Sequence, residues 1–474
     1  MKIKSFLSYL FAAGLLFSFN LPGTKTNDKV IIYPAPAGIE LSHDFTVSVE
    51  GDNVPVYMAK VAREDQRVKE IFESYFDTAS YAYFDMKEAV NVTVTVPFKI
   101  NSAKILPSIS GIIPKIKGNS LSFHISIPKN LTIEINGDIV SSLHIFANPP
   151  ETNIPSPSDT SVIYFGPGIH EVSQNTIRSN KTLYIAGGAY LRAVITPEEK
   201  ASGRRNLPPT FTIRGTNIMV RGRGVIDASL CPTRSRNMFM VRGKDISIEG
   251  IILLDGSPWF MPVRQSENVS INNIKIIGYR GNSDCIDIAN CRNILVENCF
   301  LRSSDDLIVI KSDRNQGRVD HILSRDCVLW NQFAHALSIG AELREDINDV
   351  VFTNCDVIHD TGREWALRIF HCDSSFVTKV RFENIRIEDS RRLISLWIGK
   401  SVWTLDKDQR GHIQGVVFKD IKASGSPLTI SFVGADEKHG ISDVAFDNVQ
   451  LNGKPITKGD MQINPFVKNI TIKP

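Results

Sequence analysis

One series of residues limits the folds open to this chain more than any other feature. Ten times between Gly224 and Ile470 a turn-prone Gly, Asn or Asp precedes an apolar residue or a cysteine, just after a short β-type run. The members are Gly224-Val225, Gly250-Ile251, Asn273-Ile274, Asn298-Cys299, Asp326-Cys327, Asn354-Cys355, Asn384-Ile385, Asp420-Ile421, Asn448-Val449 and Asn469-Ile470. Steps between them run from 21 to 36 residues, most from 23 to 30. The segments between are short and β-branched, as in "ISIEGIILLDG", "VSINNIKIIG" and "VVFTNCDVIHD", and none shows a long helical periodicity. A repeat of this length, marked by residues that tolerate left-handed backbone, predicts a right-handed parallel β-helix in which each coil stacks on the last. Stacked Asn amides would then hydrogen-bond along the axis. A sandwich of antiparallel hairpins fits less well, because regular two-residue hairpin turns are missing.

The cysteines obey the same period. All seven lie between Cys231 and Cys372, and Cys299, Cys327 and Cys355 follow one another at 28-residue steps in the contexts "ENC", "RDC" and "TNC". Equivalent positions in a stack call for unpaired buried thiols, which behave as small hydrophobes, rather than disulfides. No CxxC or paired-histidine spacing supports a zinc site.

Upstream the pattern changes. Alternating runs such as "DFTVSVEG", "NVTVTVPFKI" and "LSFHISIP" predict a smaller antiparallel β-sandwich over residues 25–150, and "ANPPETNIPSPSDTSV" reads as the linker to a β-helix spanning 151–474. The class is all-β. Residues 1–24 read as a secretory signal peptide, since Lys2 and Lys4 precede an apolar run from Phe6 to Phe19 that is short for a membrane span. The expectation is therefore an exported protein, secreted, periplasmic or cell-surface, with no membrane association after cleavage. A net charge of +3 with acids and bases interleaved gives no basic patch for nucleic acid.

Five aspartates stand in the otherwise apolar stretch 281–313: Asp284, Asp287, Asp305, Asp306 and Asp313. Counted from the corner residues, Asp284 lies ten after Ile274, Asp305 and Asp306 six and seven after Cys299, His335 eight after Cys327, and Arg368 thirteen after Cys355. Similar offsets put these side chains on one wall of four consecutive coils about 4.8 Å apart. Paired carboxylates are what glycosidic cleavage needs, one protonating the leaving oxygen and another activating water or attacking carbon. Crowded like charges keep one of them protonated. Asp287 either supports the cluster or plays a hydrogen-bonded structural part, and Asp313 reads as a solvated loop residue.

These segments resemble the polygalacturonase family, glycoside hydrolase family 28. "GNSDCIDI" is similar to its Asn-Thr-Asp segment, "SSDDLIVIKS" to its Asp-Asp segment, "AHALSIGAE" to its Gly-His-Gly segment and "LRIF" to its Arg-Ile-Lys segment, in the same order. "GRGVIDA" and the region around "GSPWFMPVRQ" extend the likeness over roughly 160–474. The resemblance implies Asp305 as general acid, Asp284 and Asp306 as the carboxylates that activate water, and His335 as the group that tunes their protonation. Arg368 and Asn282 would bind substrate. It implies inversion at the anomeric carbon, a polysaccharide or oligosaccharide substrate, a monomer, and no metal or organic cofactor.

The likeness breaks at Phe370, which stands where the family motif has lysine, and at Ala334 and Ala336, which replace the glycines around the histidine. Lys311, Arg344 or Arg363 could take over the missing cation, and Trp365, Trp397 and Trp403 could stack on sugar rings. The sandwich followed by a β-helix also resembles the dextranase and isopullulanase family, glycoside hydrolase family 49, which acts on neutral α-glucans. A β-helical polysaccharide lyase and a non-catalytic glycan-binding protein are the readings from other classes. The N-terminal domain is expected to wall off one end of the cleft.

Overall fold

From Val162 onward the chain winds as a parallel β-helix. The structure, a computed structural model, describes residues 23–63, 75–360 and 362–474. Each coil supplies three strands, such as Glu267–Asn272, Lys275–Ile277 and Ile286–Ala289. Each strand pairs in parallel with its equivalent one coil on: Arg292–Glu297, Phe300–Ser303 and Ile308–Ser312. The next coil brings Val319–Arg325, Val328–Asn331 and Leu337–Leu343, and the one after it Ile347–Thr353, Asp356–Asp360 and Leu367–His371. The β-branched residues of the repeat now have a job. Val269, Ile294, Ile322, Val350, Val380, Val416 and Val444 occupy one inward position in successive coils, all buried. A neighbouring column stacks Phe352, Phe382, Phe418 and Phe446 with ring centroids 5.1 Å apart at each step. All seven cysteines are free and buried, and Cys299, Cys327 and Cys355 share one column as expected.

Eight of the ten expected corners form one left-handed column. Gly250, Asn273, Asn298, Asp326, Asn354, Asn384, Asp420 and Asn448 all have positive φ. Amides bridge coils along this column, from Asn354 to Asp326, from Asn384 to Asn354 and from Asn448 to Asp420. Gly224 is one residue out of step, because Val225 pairs with Ile252 and so Gly224 aligns with Ile251. Asn469 belongs to a second left-handed column that includes Asn268, Asn293, Asp349 and Asp443, and its amide reaches Asp443. This second bend comes two residues into the first strand of each coil, where a repeat read on corner-plus-apolar pairs cannot separate it from the first.

Ahead of the helix, two sheets face each other around a core of Val47, Val92, Phe84, Ile133 and Leu143. Strands of both sheets are antiparallel except for one pair: Asp77–Met86 runs parallel to Asp138–Asn148. The intervening chain crosses to the second sheet and back, which is the long connection a parallel pair requires. The last sandwich strand ends at Asn148 and the first coil strand begins at Val162. The expected signal peptide lies outside the described residues but for positions 23 and 24. Among the described residues no helix is long and apolar enough to cross a membrane.

The sandwich lies along the flank of the helix, not across its end. Tyr57, Tyr81, Phe146 and Leu106 pack on Val225, Ile252, Ile277, Phe300, Trp330 and Ile358, which line the outer face of the second strands over successive coils. Buried cations sit in this seam. Arg223 pairs with Asp85 at 2.7 Å, Lys275 donates to Asn148, and Arg302 donates to Ser142 and His144 while stacking 3.7 Å from the Trp330 ring centre. A charge left without such partners in this seam would cost several kcal/mol, so the seam has a fixed geometry. The aromatic column inside the coils gives a direct test of the core: Phe382→Ala is expected to lose about 3–5 kcal/mol, read as a lower midpoint in urea unfolding.

Candidate active site

The acids sit where the chain turns from the second strand of a coil into the third. Ile286 pairs with Ile308 and Ile308 with Leu337, so Asp284, Asp306 and His335, each two residues earlier, form one column. Backbone bonds hold it there, with Cys285 N–H donating to the Asp306 carbonyl and Leu307 N–H to that of His335. Asp305 is one residue off the column, and both of its carboxylate oxygens accept backbone N–H groups, from Asn282 and Asp306, each at 3.1 Å. One oxygen each from Asp284, Asp305 and Asp306 lies within 4.8 Å of the others.

Positive charge reaches the cluster from two sides. Lys311, on the third strand, is buried with its Nζ 3.0 Å from Asp284 and 2.7 Å from Asp287. The fully buried Asp287 is a partner of Lys311, which links it to Asp284. Arg368 Nη1 donates to His335 Nε2 at 2.9 Å and to Glu364 at 2.6 Å, and His335 Nδ1 contacts Asp306 at 2.5 Å. A guanidinium can only donate, so Nε2 must accept and Nδ1 carries the hydrogen given to Asp306. His335 joins Arg368 to the cluster through Nη1, while the buried Arg368 Nε has no hydrogen-bond partner among the described residues.

The same surroundings pull the three acids apart. Burial, and then the neighbouring Asp284 and Asp306, push the Asp305 carboxyl well above the usual range. Burial also raises Asp284, against the pull of Lys311, to about 6. Burial alone would raise Asp306, but His335, Lys311 and Arg368 outweigh it and hold this carboxylate below its ordinary value. Asp284 Oδ2 is taken by Lys311 while its buried Oδ1 has no hydrogen-bond partner among the described residues. Carboxyls shifted in opposite directions with oxygens within 4.8 Å of one another suit acid–base chemistry. The three oxygens are also close enough for a hard cation, although Lys311 already supplies positive charge there.

Other expected residues fall around this centre. Asn282, with φ 57°, presents its backbone to Asp305. Trp365 continues the column one coil beyond His335, with the Arg392 guanidinium 5.9 Å from its ring centre. Trp397 meets Phe370 edge to face at 5.0 Å. Arg344 is spent on Asp313 and Asp373 and cannot supply the cation missing at Phe370. Arg363 is an exposed side chain 3.9 Å from Glu364. Asp313 lies in the loop just past Ile308–Ser312 with its side chain partly exposed, as expected, and it also bridges Arg264 and Arg344 at 2.5 and 3.0 Å. Two residues escaped the sequence. Glu364, which fixes Arg368, stands four residues before it, and Trp259 stands one coil before Asp284 in the same column, its ring 4.2 Å from Lys311 Nζ. The repeat spacing could have found Trp259; nothing in the sequence marks Glu364. A separate groove of about 820 Å³ between the sandwich and the Asn corner column lies on the other edge of the second strands, away from the acids.

Fold and site together define a β-helical protein with an acid–base carboxylate cluster on its outer wall, the kind of centre that works on a polymer laid along the coils. The chain belongs to the glycosyl hydrolases family 28, whose model matches residues 213–470, more than half of its length. An exopolygalacturonase of Arabidopsis thaliana is 25% identical over 211 residues, covering 42% of this chain and 46% of that protein. The chain spans about half the length of the curated relatives it matches. Among solved structures it is similar in fold to Dex49A from Penicillium minioluteum, with a TM-score of 0.58 and 13% identity over 95% of this chain and 99% of that one. A hyperthermoactive exopolygalacturonase from Thermotoga maritima gives a TM-score of 0.53 and 18% identity over 66% and 83%.

Raising a carboxyl's folded-state value makes its ionisation cost stability as pH climbs from the unfolded value of about 3.9. Asp305→Asn removes that cost and keeps one oxygen for one of the two backbone N–H groups. The variant and the parent are expected to melt together near pH 4 and the variant to melt higher at pH 7, as thermal denaturation at the two pH values will read; equal melting at pH 7 rejects the raised carboxyl.

Proposed function

We propose that this protein, once exported, hydrolyses O-glycosidic bonds within a pectic or other uronate-bearing polysaccharide. The observation that carries the reading is the geometry of the cluster, in which oxygens of Asp284, Asp305 and Asp306 lie within 4.8 Å of one another, His335 bonds Asp306, and Asp305 accepts only backbone N–H groups among the described residues, surroundings that push Asp305 up and hold Asp306 down. Asp305 gives its proton to the leaving oxygen as the bond breaks. Asp284 and Asp306 hold the attacking water between them, since oxygens within 4.8 Å of each other can share one water, and the unpartnered Oδ1 of Asp284 is available to take its proton. His335 keeps Asp306 ionised, and Arg368 holds His335 in the tautomer that does so.

The family likeness favours inversion. The spacing is shorter than the roughly 6.5–9.5 Å usual for inverting carboxylates, so the configuration of the first-formed reducing sugar, read by proton NMR before mutarotation, decides the point. An inverted anomer is expected; a retained one would make Asp284 or Asp306 a nucleophile. Asp305→Asn is expected to lower kcat by about 10²–10⁴-fold, the usual worth of a general acid. A variant as fast as the parent removes Asp305 from that role. Below about pH 6 activity should fall as Asp284 takes up a proton, with the loss visible in kcat/KM.

A second reading, hydrolysis of a neutral α-glucan, is favoured by Phe370 and by the likeness in fold to the family 49 protein Dex49A over both domains. A panel of polygalacturonate, rhamnogalacturonan, dextran and pullulan separates the two. Activity on dextran alone would replace the pectic reading.

A further inference from the structure

The floor beside the acid cluster can be followed coil by coil. On the outward side of the third strands, Gly340 pairs with Phe370 and Phe370 with Trp397, while Lys311 stands one coil earlier at a bulge where the register shifts. The row passes from a lysine locked between two carboxylates to a bare glycine and then to two aromatic rings. Gly340 has φ 119°, and a Cβ there would stand 2.0 Å from the Phe370 carbonyl oxygen, so no side chain can fill the floor between Lys311 and Phe370. Trp397 in turn lies over Gly399, where a Cβ would come within 2.3 Å of its ring. Phe370 and Trp397 are half-buried, and the next loop adds Trp403, 51% exposed.

A sugar carboxylate bound on this floor would need an unspent cation. Lys311 is tied to Asp284 and Asp287, Arg264 to Asp313, and Arg344 to Asp313 and Asp373, while Arg368 gives its Nη1 to both Glu364 and His335. The Arg368 guanidinium also lies 4.0 Å from the Phe370 ring centre, its flat face covering the ring from one side. A carboxylate held against these rings would lose its water and compete with Glu364 for Arg368, whereas the C–H face of a neutral sugar loses little and gains apolar contact.

We propose that Gly340, Phe370 and Trp397 form a subsite for a neutral sugar residue, so that the bond presented to Asp305 adjoins a sugar without a carboxylate. The inference rests on the hydrolase reading and narrows its substrate. Acidic units of the same polymer would be met at the rim, where Arg363 and the Arg392 that overlies Trp365 are exposed.

The test uses galacturonan oligosaccharides, their methyl esters, and carboxyl-reduced counterparts in which each uronate has become galactose. The parent is expected to cleave the reduced set at least about tenfold faster in kcat/KM than the acidic set. Phe370→Ala should lose about tenfold on the reduced set, mostly through KM, the worth of one apolar ring contact, and Phe370→Lys should shift the preference toward the acidic set. Equal or faster cleavage of the acidic set by the parent, a preference for the methyl esters over the reduced set, or an unchanged Phe370→Ala overturns the proposal. If the parent cleaves none of them, the hydrolase reading fails separately, and calorimetric binding to Asp305→Asn decides the subsite. Tighter binding of the reduced set, lost on adding Trp397→Ala, supports it; equal or tighter binding of the acidic set, or no binding at all, overturns it.

Discussion

Axial register between coils is the constraint on which the rest of this molecule depends. Parallel pairing fixes each coil about 4.8 Å above the last, and a one-residue slip would exchange every inward side chain for an outward one. The column Val269 to Val444 and the stacked phenylalanines hold register from inside, while Asn and Asp corners at positive φ hold it from outside by passing hydrogen bonds from coil to coil. Only because these agree do Asp284, Asp306 and His335, drawn from three coils, arrive in one line.

That line concentrates negative charge in a place largely shut off from water, and the structure handles it asymmetrically. Lys311 is placed between Asp284 and the buried Asp287. The relay from Glu364 through Arg368 and His335 ends on Asp306. Among the described residues Asp305 pairs directly with no cation and accepts two backbone N–H groups, and burial with its two acidic neighbours outweighs the pull of Lys311 and drives it furthest of the three toward its protonated form. The difference among three chemically identical side chains therefore comes from which cations the neighbouring coils can bring to each.

Support from the sandwich comes from the side. Its tyrosines and Phe146 cover the outer face of the second strands, and its polar residues meet Arg223, Lys275 and Arg302 in the seam. The acid column begins only a few residues after those strands, at the ends of Phe300–Ser303 and Val328–Asn331. Fixing the second strands thus fixes the turns that carry the acids.

The spacing of Asn, Asp and Gly corners determined the β-helix from sequence alone, because a stacked fold must repeat its sterically demanding residue at each turn. The same spacing brought Asp284, Asp305, Asp306, His335 and Arg368 to one wall, and equal steps put Cys299, Cys327 and Cys355 in one buried column. What it could not separate were two bends of similar chemistry, so Gly224 and Asn469 were aligned with a column they do not join. Partners of charged side chains were equally illegible. Glu364, the commitment of Lys311 to two aspartates and the capture of Arg344 by Asp313 and Asp373 depend on loops of unequal length meeting across coils. The sequence by itself determined the repeat and the wall on which the acids stand. Tertiary structure alone decided which acid keeps its proton and which cations are already spent, because those depend on distances of a few ångströms between residues some 20 to 30 positions apart.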